Sequence, residues 1–263
     1  MEDQQLIEQR NYTSSLLADF DPISLKELDQ VKLLNRVDTK FAFSFCKLPS
    51  ILKDLVPHYS ILEIKGVRLN NYNSIYFDSS ELDLYLKHHN ERKKRFKMRY
   101  RKYVDSGLSF FEIKFKNNKG RTDKRRVRTE DIYYQFDEKA VDLMGKGPYA
   151  IDPELYRHSI DIDFYRFTMA DKDFTERATI DVQLTFKRDE ENWIYDQIVI
   201  AELKQEKLDR TSHLMRTLKN YHILPMRMSK YCMGILAAED AVKANRFKNK
   251  KRIFEKLNQL KEV

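Results

Sequence analysis

The chain has 263 residues, with 49 Lys or Arg against 41 Asp or Glu and a formal charge of +8. Hydrophobic residues make up 41% and charged residues 34%, enough for the core of one large domain or two small ones under a heavily charged surface. Six Gly and six Pro are too few for a disordered or collagen-like chain and leave little for a Gly-rich nucleotide loop, while two cysteines, Cys46 and Cys232, point to neither a disulfide framework nor a Cys-based zinc site.

The basic balance implies an anionic partner: nucleic acid, a phosphorylated metabolite or a membrane surface. The opening "MEDQQLIEQR" is polar and acidic, unlike a signal peptide. No apolar run approaches the roughly 18 residues of a membrane span, so a soluble cytoplasmic protein is expected.

Residues 1–30 are polar with scattered apolar positions; within them "SLKELDQ" predicts a short helix, with Ser24 as cap and Glu27 at the capping-box position. In "RVDTKFAFSF" Arg36, Asp38 and Lys40 share one face and Val37, Thr39, Phe41 and Phe43 the other, the mark of a strand. "PSILKDLVPHY" predicts a short helix with Pro49 near its start and Pro57 ending it. "NSIYFDS" predicts a strand, and "SELDLYLKHHN" a turn or two of helix. Two strands follow, joined by the turn-forming "VDSG". "RFKMRYRKY" sets Arg95, Lys97, Arg99 and Arg101 against Phe96, Met98 and Tyr100, and "LSFFEIKFK" sets Glu112, Lys114 and Lys116 against Phe111, Ile113 and Phe115. After the turn "NNKGRT", "DKRRVRT" keeps Lys124, Arg126 and Arg128 in phase. Residues 130–160 read as largely helical, with a Gly/Pro loop at "GKGPYAIDP". Three more strands are predicted: "DFYRFTMA" with Arg166, "RATIDVQLTF" with Arg177, Thr179, Asp181 and Gln183 on one face, and "QIVIAELKQE" with Glu202 and Lys204 on one face. "DRTSHLMRTLKNYHI" and "SKYCMGILAAEDAVKANRF" read as helices, and the end as a basic helical tail. About seven or eight short strands with hairpin-style turns favour antiparallel pairing in one α+β domain.

Strand after strand carries one apolar face and one that mixes Arg and Lys with a few carboxylates. Two arrangements fit. In one, the apolar faces form a sandwich core and the charges are solvated. In the other, the apolar faces point outward beneath covering helices and the charged faces line a tunnel, since alternate residues of barrel strands point in and out. Alternate strand residues sit about 7 Å apart, so like charges repel by roughly 0.6 kcal/mol in water and about 2.4 kcal/mol at an effective dielectric near 20. A cation row on an open face is therefore cheap, whereas rows facing each other across a tunnel need an anion between them. Interleaved carboxylates such as Glu112 and Glu202 suit a site that binds phosphate with a divalent metal, because they supply hard oxygen ligands.

The ordered series "RVDTK", "IYFD", "RFKMRYRKY", "FFEIKFKNNKGRTDKRR", "YRFT", "RATID", "IAELK" and "SKYC" resembles the VTC domain, the polyphosphate polymerase branch of the triphosphate tunnel metalloenzymes. The resemblance runs from about Leu34 to Gly234. It implies a closed antiparallel eight-stranded β-barrel tunnel with a basic lumen, surrounded by helices, and a Mn²⁺ or Mg²⁺ ion on the bound phosphates. It implies transfer of the ATP γ-phosphoryl group to a growing inorganic polyphosphate chain, with release of ADP. The phosphate-binding catalytic cations it implies are Lys40, Arg99, Arg101, Lys114, Lys124, Arg166, Arg177 and Lys230, with Glu202 as the metal-binding glutamate of a late strand. Glu112 joins as a metal candidate by alternation, and Arg36, Lys97, Arg126 and Lys204 as further substrate-binding residues; Arg36 and Asp38 share the face of Lys40 as a supporting ion pair. Many relatives in the superfamily open with Glu-x-Glu-x-Lys. This chain reads Arg36-x-Asp38-x-Lys40, as the VTC branch does, which argues against adenylate cyclase or thiamine triphosphatase activity.

The expected partners are ATP and inorganic polyphosphate, with no nucleic acid, and a separate membrane protein if synthesis is coupled to translocation. The expected layout is an N-terminal helical extension over residues 1–30, the tunnel domain over 31–240 and the basic helical tail over 241–263. The competing functions are hydrolysis of triphosphate or nucleoside triphosphate in the same tunnel, and non-catalytic binding of polyphosphate or nucleic acid.

Other conspicuous residues have plainer readings. His88 and His89 are adjacent, point to different sides and are expected in structural or solvated roles, with phosphate contact at the tunnel mouth as the alternative. Asp78 is expected as a strand-end cap, Trp193 in "KRDEENWIYDQ" as a packing residue of a hairpin-like stretch, and the two cysteines as small apolar residues. "KANRFKNKKR" is expected as a solvated helix face, with an emerging polyphosphate chain or an acidic membrane surface as alternative contacts. Arg128, Lys116 and Lys119 are expected at the rim.

Overall fold

Strands form where charged and apolar residues alternate, and short polar caps set the helices between them. The computed structural model describes residues 3–31, 36–117, 122–146 and 151–260. Helix α1 (Gln4–Leu16), in the expected N-terminal extension, is capped by the Asp3 carboxylate on Gln5 N. β1 (Asp21–Ile23) leads into α2 (Leu25–Leu28), where Ser24 and Glu27 form the expected capping box. β2 (Val37–Ser44), α3 (Leu48–Leu55), β3 (Tyr59–Leu62), β4 (Asn70–Asp78) and α4 (Asp83–His89) follow, then the hairpin of β5 (Arg95–Tyr103) and β6 (Leu108–Lys116). β7 (Thr122–Thr129) and α5 (Glu138–Gly145) precede the long strands β8 (Arg157–Asp171) and β9 (Glu176–Arg188). β10 (Glu191–Tyr195), β11 (Ile198–Gln205), α6 (His213–Asn220), α7 (Lys230–Ala238) and α8 (Lys248–Gln259) complete the order. Among the described residues no helix is long and apolar enough to cross a membrane.

The main path of the sheet is β2-β11-β9-β8-β4-β5-β6-β7, antiparallel throughout, and β1, β3 and β10 join it at the side to make 11 strands. The α+β class and antiparallel pairing agree with the sequence pattern. The closed eight-stranded barrel does not: among the described residues β2 and β7, the two ends of the path, form no ladder.

The convex face of the sheet is apolar and lies under helices. Phe41, Phe43, Phe167, Met169, Ile180 and Val182 pack with Ile51, Leu52 and Leu55 of α3 and Leu214 and Leu218 of α6. Farther along, Ile75, Phe77, Met98, Tyr100 and Phe111 pack with Ala140 and Met144 of α5. Each such large side chain contributes about 1.5–3 kcal/mol by leaving water. The concave face is apolar at one end only, where Ile160, Ile162, Phe186, Ile198 and Ile200 pack against Tyr231, Ile235 and Leu236 of α7. That helix plugs the end; the rest of the concavity is lined by charge.

A β-bulge sets the border. The β8–β9 register shifts between Asp163 and Tyr165, near Gln183 with its φ of +51°. Arg177, Thr179 and Asp181 hold the concave face before it, and Leu184 and Phe186 hold it afterwards. Gln183 was expected beside Asp181 by simple alternation; instead its amide donates to Leu6 O and Gln9 Oε1 of α1. Two helical expectations also shorten. Among the described residues of 130–160 only α5 is α-helical, because Ile132, Tyr133 and Phe136 pack onto the convex face from irregular chain. The run from Ser229 is helical only to Ala238, after which Val242, Ala244 and Phe247 pack on the α7 cluster.

Candidate functional site

Cross-strand register brings the charged residues of separate strands into contact on the concave face. β6 sets Glu112 opposite Arg99 and Lys114 opposite Lys97. β7 sets Lys124 opposite Lys114 and Arg126 opposite Glu112. β9 sets Asp181 opposite Arg166. β11 sets Glu202 between Lys40 of β2 and Thr179 of β9, and Lys204 between Asp38 and Arg177. Asp38 and Lys40 of β2 line one pocket with Arg95 of β5 and Lys116 of β6 from the other end of the strand path, so the sheet curls until its charged rows face each other. A sandwich with solvated charges is thereby excluded: Met98 and Tyr100 are buried under α5, and Arg101 on the opposite face is itself only 7% exposed.

Three carboxylates organise the cations. Asp181, 2% exposed, accepts from Arg166 Nε at 2.5 Å and Nη2 at 2.8 Å, and from Lys230 Nζ. Glu112 accepts from Arg99 Nε at 2.8 Å and Nη2 at 2.6 Å on one oxygen, and Lys124 Nζ lies 2.6 Å from the other. Glu202 accepts from Lys40 at 3.0 Å, with Lys204 at 3.4 Å from its second oxygen. Burial opposes the charge on each carboxylate, yet the adjoining cations hold all three well below the usual carboxylate range.

The same field acts on neutralisable groups. Burial, with Arg166 adding repulsion, lowers Lys204 and Lys230 to about 8 despite their carboxylate partners. Partial desolvation also lowers Lys97 and, from more open positions, Lys114 and Lys124. Tyr76 would be raised by burial alone, but Arg99, Arg101 and Lys97 bring it down to about 8, and Arg99 Nη1 donates to its hydroxyl at 2.7 Å.

Arg101 differs from its neighbours. It donates to Ser74 Oγ at 3.2 Å and lies over the rings of Tyr72 and Phe164, and among the described residues it has no carboxylate partner. Arg166 and Lys230 lie against the same Phe164 ring, at 5.2 and 4.5 Å from its centroid. Arg177 has a buried Nε with no hydrogen-bond partner among the described residues. Helix α7 enters this face N-terminus first. Its cap Ser229 accepts from Lys97 Nζ at 2.5 Å. Asp78 accepts from the amides of Ser79, Leu84 and Tyr85 and from the Tyr231 hydroxyl, so the expected cap also ties down the helix that carries Lys230.

The geometry thus brings Lys40, Lys97, Arg99, Arg101, Lys114, Arg166, Arg177, Lys204 and Lys230 to one concavity with Glu112 and Glu202. Lys124 reaches Glu112 from a more open position, and Arg36 pairs with Asp38 at 2.9 Å while largely exposed. Arg126 lies at the open edge over the Phe110 ring, and Arg128 is exposed. Lys119 lies outside the described residues. His89 is fully buried and accepts from Arg246 N, and Trp193 packs against the α7 cluster from a hairpin strand. Sequence alternation did not single out Asp181 as an organiser, nor Tyr72, Ser74, Tyr76, Phe164 and Ser229. Only the phase of Ser74 and Tyr76 in "YNSIYFD" hinted at them.

Among the described residues no three His, Cys, Asp or Glu side chains converge to hold a metal. An ion held by one carboxylate and by phosphate oxygens fits that donor set. Glu112 Oε1 lies 2.6 Å from Lys124 Nζ without a hydrogen bond, and among the described residues Glu202 Oε1 meets only Lys204, at 3.4 Å; the looser contact makes Glu202 the better fit.

A search of curated proteins gives no match. Among solved structures, a Hippeastrum protein described as having a dominant triphosphatase activity aligns with a TM-score of 0.50 at 12% identity, covering 77% of this chain and 96% of that one. A Vibrio parahaemolyticus protein described as an adenylate cyclase candidate aligns at 0.46 and 10% identity, covering 76% and 98%. At such identities the Hippeastrum likeness speaks for the fold alone. The VTC domain profile matches residues 35–238. That span takes in every strand from β2 to β11 and the helix carrying Lys230, and the chain belongs to the VTC domain family.

Proposed function

We propose that this chain is a metal-dependent polyphosphate polymerase, transferring the γ-phosphoryl group of ATP to the end of an inorganic polyphosphate chain held on the concave face. The observation that carries this is Arg101. A guanidinium 7% exposed, repelled by Arg99 and Arg166 and, among the described residues, in ion pair with no carboxylate, is costly unless an anion joins it, since Glu112 in the same field is already shared by Arg99 and Lys124. Family membership supports phosphate chemistry on the concave face, and so does the triphosphatase activity described for the Hippeastrum protein. The Arg36-x-Asp38-x-Lys40 pattern favours the polymerase branch.

In the transfer, the bond from the γ-phosphorus to the β–γ bridging oxygen breaks. A terminal oxygen of the chain bonds to that phosphorus, and ADP leaves. The attacking oxygen is anionic near neutral pH, so the step needs alignment and charge neutralisation more than a base. Arg101, with only its Nε donated to Ser74, grips non-bridging oxygens in a pair, and Arg99 and Arg166 add the N–H groups that Glu112, Tyr76 and Asp181 leave over. Lys40, Lys204 and Lys230 act as point charges that let two polyanionic ends approach. Lys114, Lys124 and Arg177 hold the flanking phosphates. Tyr72 and Phe164 seat guanidinium planes without accepting their hydrogen bonds, which leaves donors for substrate. Glu202 would hold the Mn²⁺ or Mg²⁺ ion, which when bound would supply neutralisation of phosphate charge.

ATP labelled at the γ-phosphorus, incubated with the protein and Mn²⁺, is expected to place label in acid-insoluble polymer, and ATP labelled at the α-phosphorus only in ADP. Label appearing solely as orthophosphate would establish the hydrolase reading instead. Glu202→Ala is expected to lower the rate and raise the Mn²⁺ concentration needed.

A further inference from the structure

Tyr76 is a buried titratable group of the concave face to which the transfer gives no part of its own. Cross-strand register sets it opposite Arg99 of β5 and Ile160 of β8, so its ring points inward beside the Arg99 guanidinium. The residue is 7% exposed, and its ring stacks on Tyr231 of α7 with 5.3 Å between centroids and 20° between planes. Its hydroxyl accepts from Arg99 Nη1 at 2.7 Å, and among the described residues no group accepts its own proton. A buried phenol normally finds a partner for that proton. The charges that reach it are cations: Lys97, Arg99 and Arg101, all from β5. Glu112 of β6 lies behind them, shared by Arg99 and Lys124, while β8 presents Ile160 and α7 presents Tyr231. Burial alone would raise the phenol, yet Arg99, Arg101 and Lys97 bring it down to about 8. The influence is mutual. Against the cost of burial, Tyr76 and Glu112 hold Arg99 in its charged form, and both oppose the burial and the Arg99 repulsion that lower Arg101. Burial raises the nearby Tyr72 and Tyr231 instead, so Tyr76 is the phenol of this cluster that ionises first.

We propose that Tyr76 touches the substrate, its hydroxyl donating to a phosphate oxygen seated beside Arg99. In the empty site the ionised phenol is the counter-charge of Arg99 and Arg101. When the polyanion arrives, the phenolate oxygen takes a proton from solvent, the phosphate becomes the counter-charge, and the new O–H points at it. The proposal rests on the phosphate reading of the concave face, and it holds whether the phosphoryl group passes to polymer or to water.

The test uses Tyr76→Phe, which keeps the stacked ring and removes the hydroxyl. At about pH 7 the variant is expected to bind tripolyphosphate about tenfold or more weakly than wild type, the size of a lost hydrogen bond to a charged group. As pH rises past about 8 the wild-type phenolate must first be protonated, so wild-type affinity falls faster than that of the variant and the two converge. At about pH 8.5 saturating tripolyphosphate is expected to remove most of one tyrosinate from the near-ultraviolet spectrum of wild type and none from that of Tyr76→Phe. A tyrosine that only packs would give no such change. An unmoved wild-type spectrum, an equal change in both proteins, or equal affinities at about pH 7 overturns the proposal and leaves the phosphate reading standing. Wild-type protein that fails to bind tripolyphosphate overturns the concave-face reading and this proposal with it. If Tyr76→Phe melts early, a pH titration of the wild-type spectrum decides: tripolyphosphate should move the tyrosinate midpoint upward from about 8, and a midpoint that stays in place overturns the proposal.

Discussion

Asp181 holds two cations, Arg166 and Lys230, at a position 2% exposed to solvent. Asp181→Asn leaves both without a counter-charge, and losing one partner of a buried ion pair costs about 3–5 kcal/mol. The variant should melt well below wild type. Tripolyphosphate should then raise its melting temperature by more than it raises that of wild type, because the ligand replaces the missing negative charge. Equal shifts would place phosphate elsewhere. A second expectation concerns pH. Lys204, Lys230 and Tyr76 all titrate near 8, and each loses a proton as pH rises through that value. A bound polyanion favours the protonated forms, so binding near pH 8.5 should take up protons, and affinity should fall above pH 8. Calorimetry in two buffers of different ionisation enthalpy measures that uptake; none would contradict the site. Stability runs the other way. Between about 8 and the ordinary lysine value of 10.5 the unfolded chain binds more protons than the folded one, so the burial penalty on these lysines fades as pH rises. At this scale the cations were legible because they alternate. The partnership of Asp181 with both Arg166 and Lys230 was not, since it depends on which strands lie side by side and on where α7 begins.

Helix α7 couples the apolar plug to the charged floor. A Cβ on Gly234 would sit 2.8 Å from Phe186 Cδ1 and 2.9 Å from Ile160 Cδ1, so the glycine is there for close approach. Gly234→Ala should cost about 1–3 kcal/mol by overpacking, roughly 2–10 °C of melting temperature. Because α7 also carries Lys230, tripolyphosphate affinity should drop in parallel. Gly145→Ala at the end of α5, with nothing within 4 Å of the added carbon, is the control that should change neither. Unaltered phosphate affinity in a destabilised Gly234→Ala protein would uncouple the helix from the site. At the scale of elements, β5 and β6 coincide with "RFKMRYRKY" and "LSFFEIKFK" because alternation and a tight turn mark them from both ends. The bulge at Gln183 left no such mark. Neither did β1 and β3, whose three and four residues are too short to show a period. The 130–160 segment misled because its aromatic residues pack on the sheet from irregular chain.

As a whole the molecule is a curled sheet with helices over its apolar face and an anion-seeking concavity inside. Alternating patterns alone could not choose between sandwich and tunnel, since both bury the same residues on one face. The burial of Arg101, Glu112, Asp181 and Lys204 makes the choice. Nor could they show that the strand path stops short of closure between β2 and β7. The central claim is that these enclosed cations turn ATP into polymer, and ³¹P NMR of ATP turnover with Mn²⁺ tests it most directly, on wild-type protein and on Arg101→Ala. Wild type should show interior-polyphosphate phosphorus growing in step with ADP, and Arg101→Ala should slow both by about 100-fold, or about 2.7 kcal/mol of transition-state stabilisation. Orthophosphate as the sole new product, or an Arg101→Ala protein that polymerises at the wild-type rate, would contradict it.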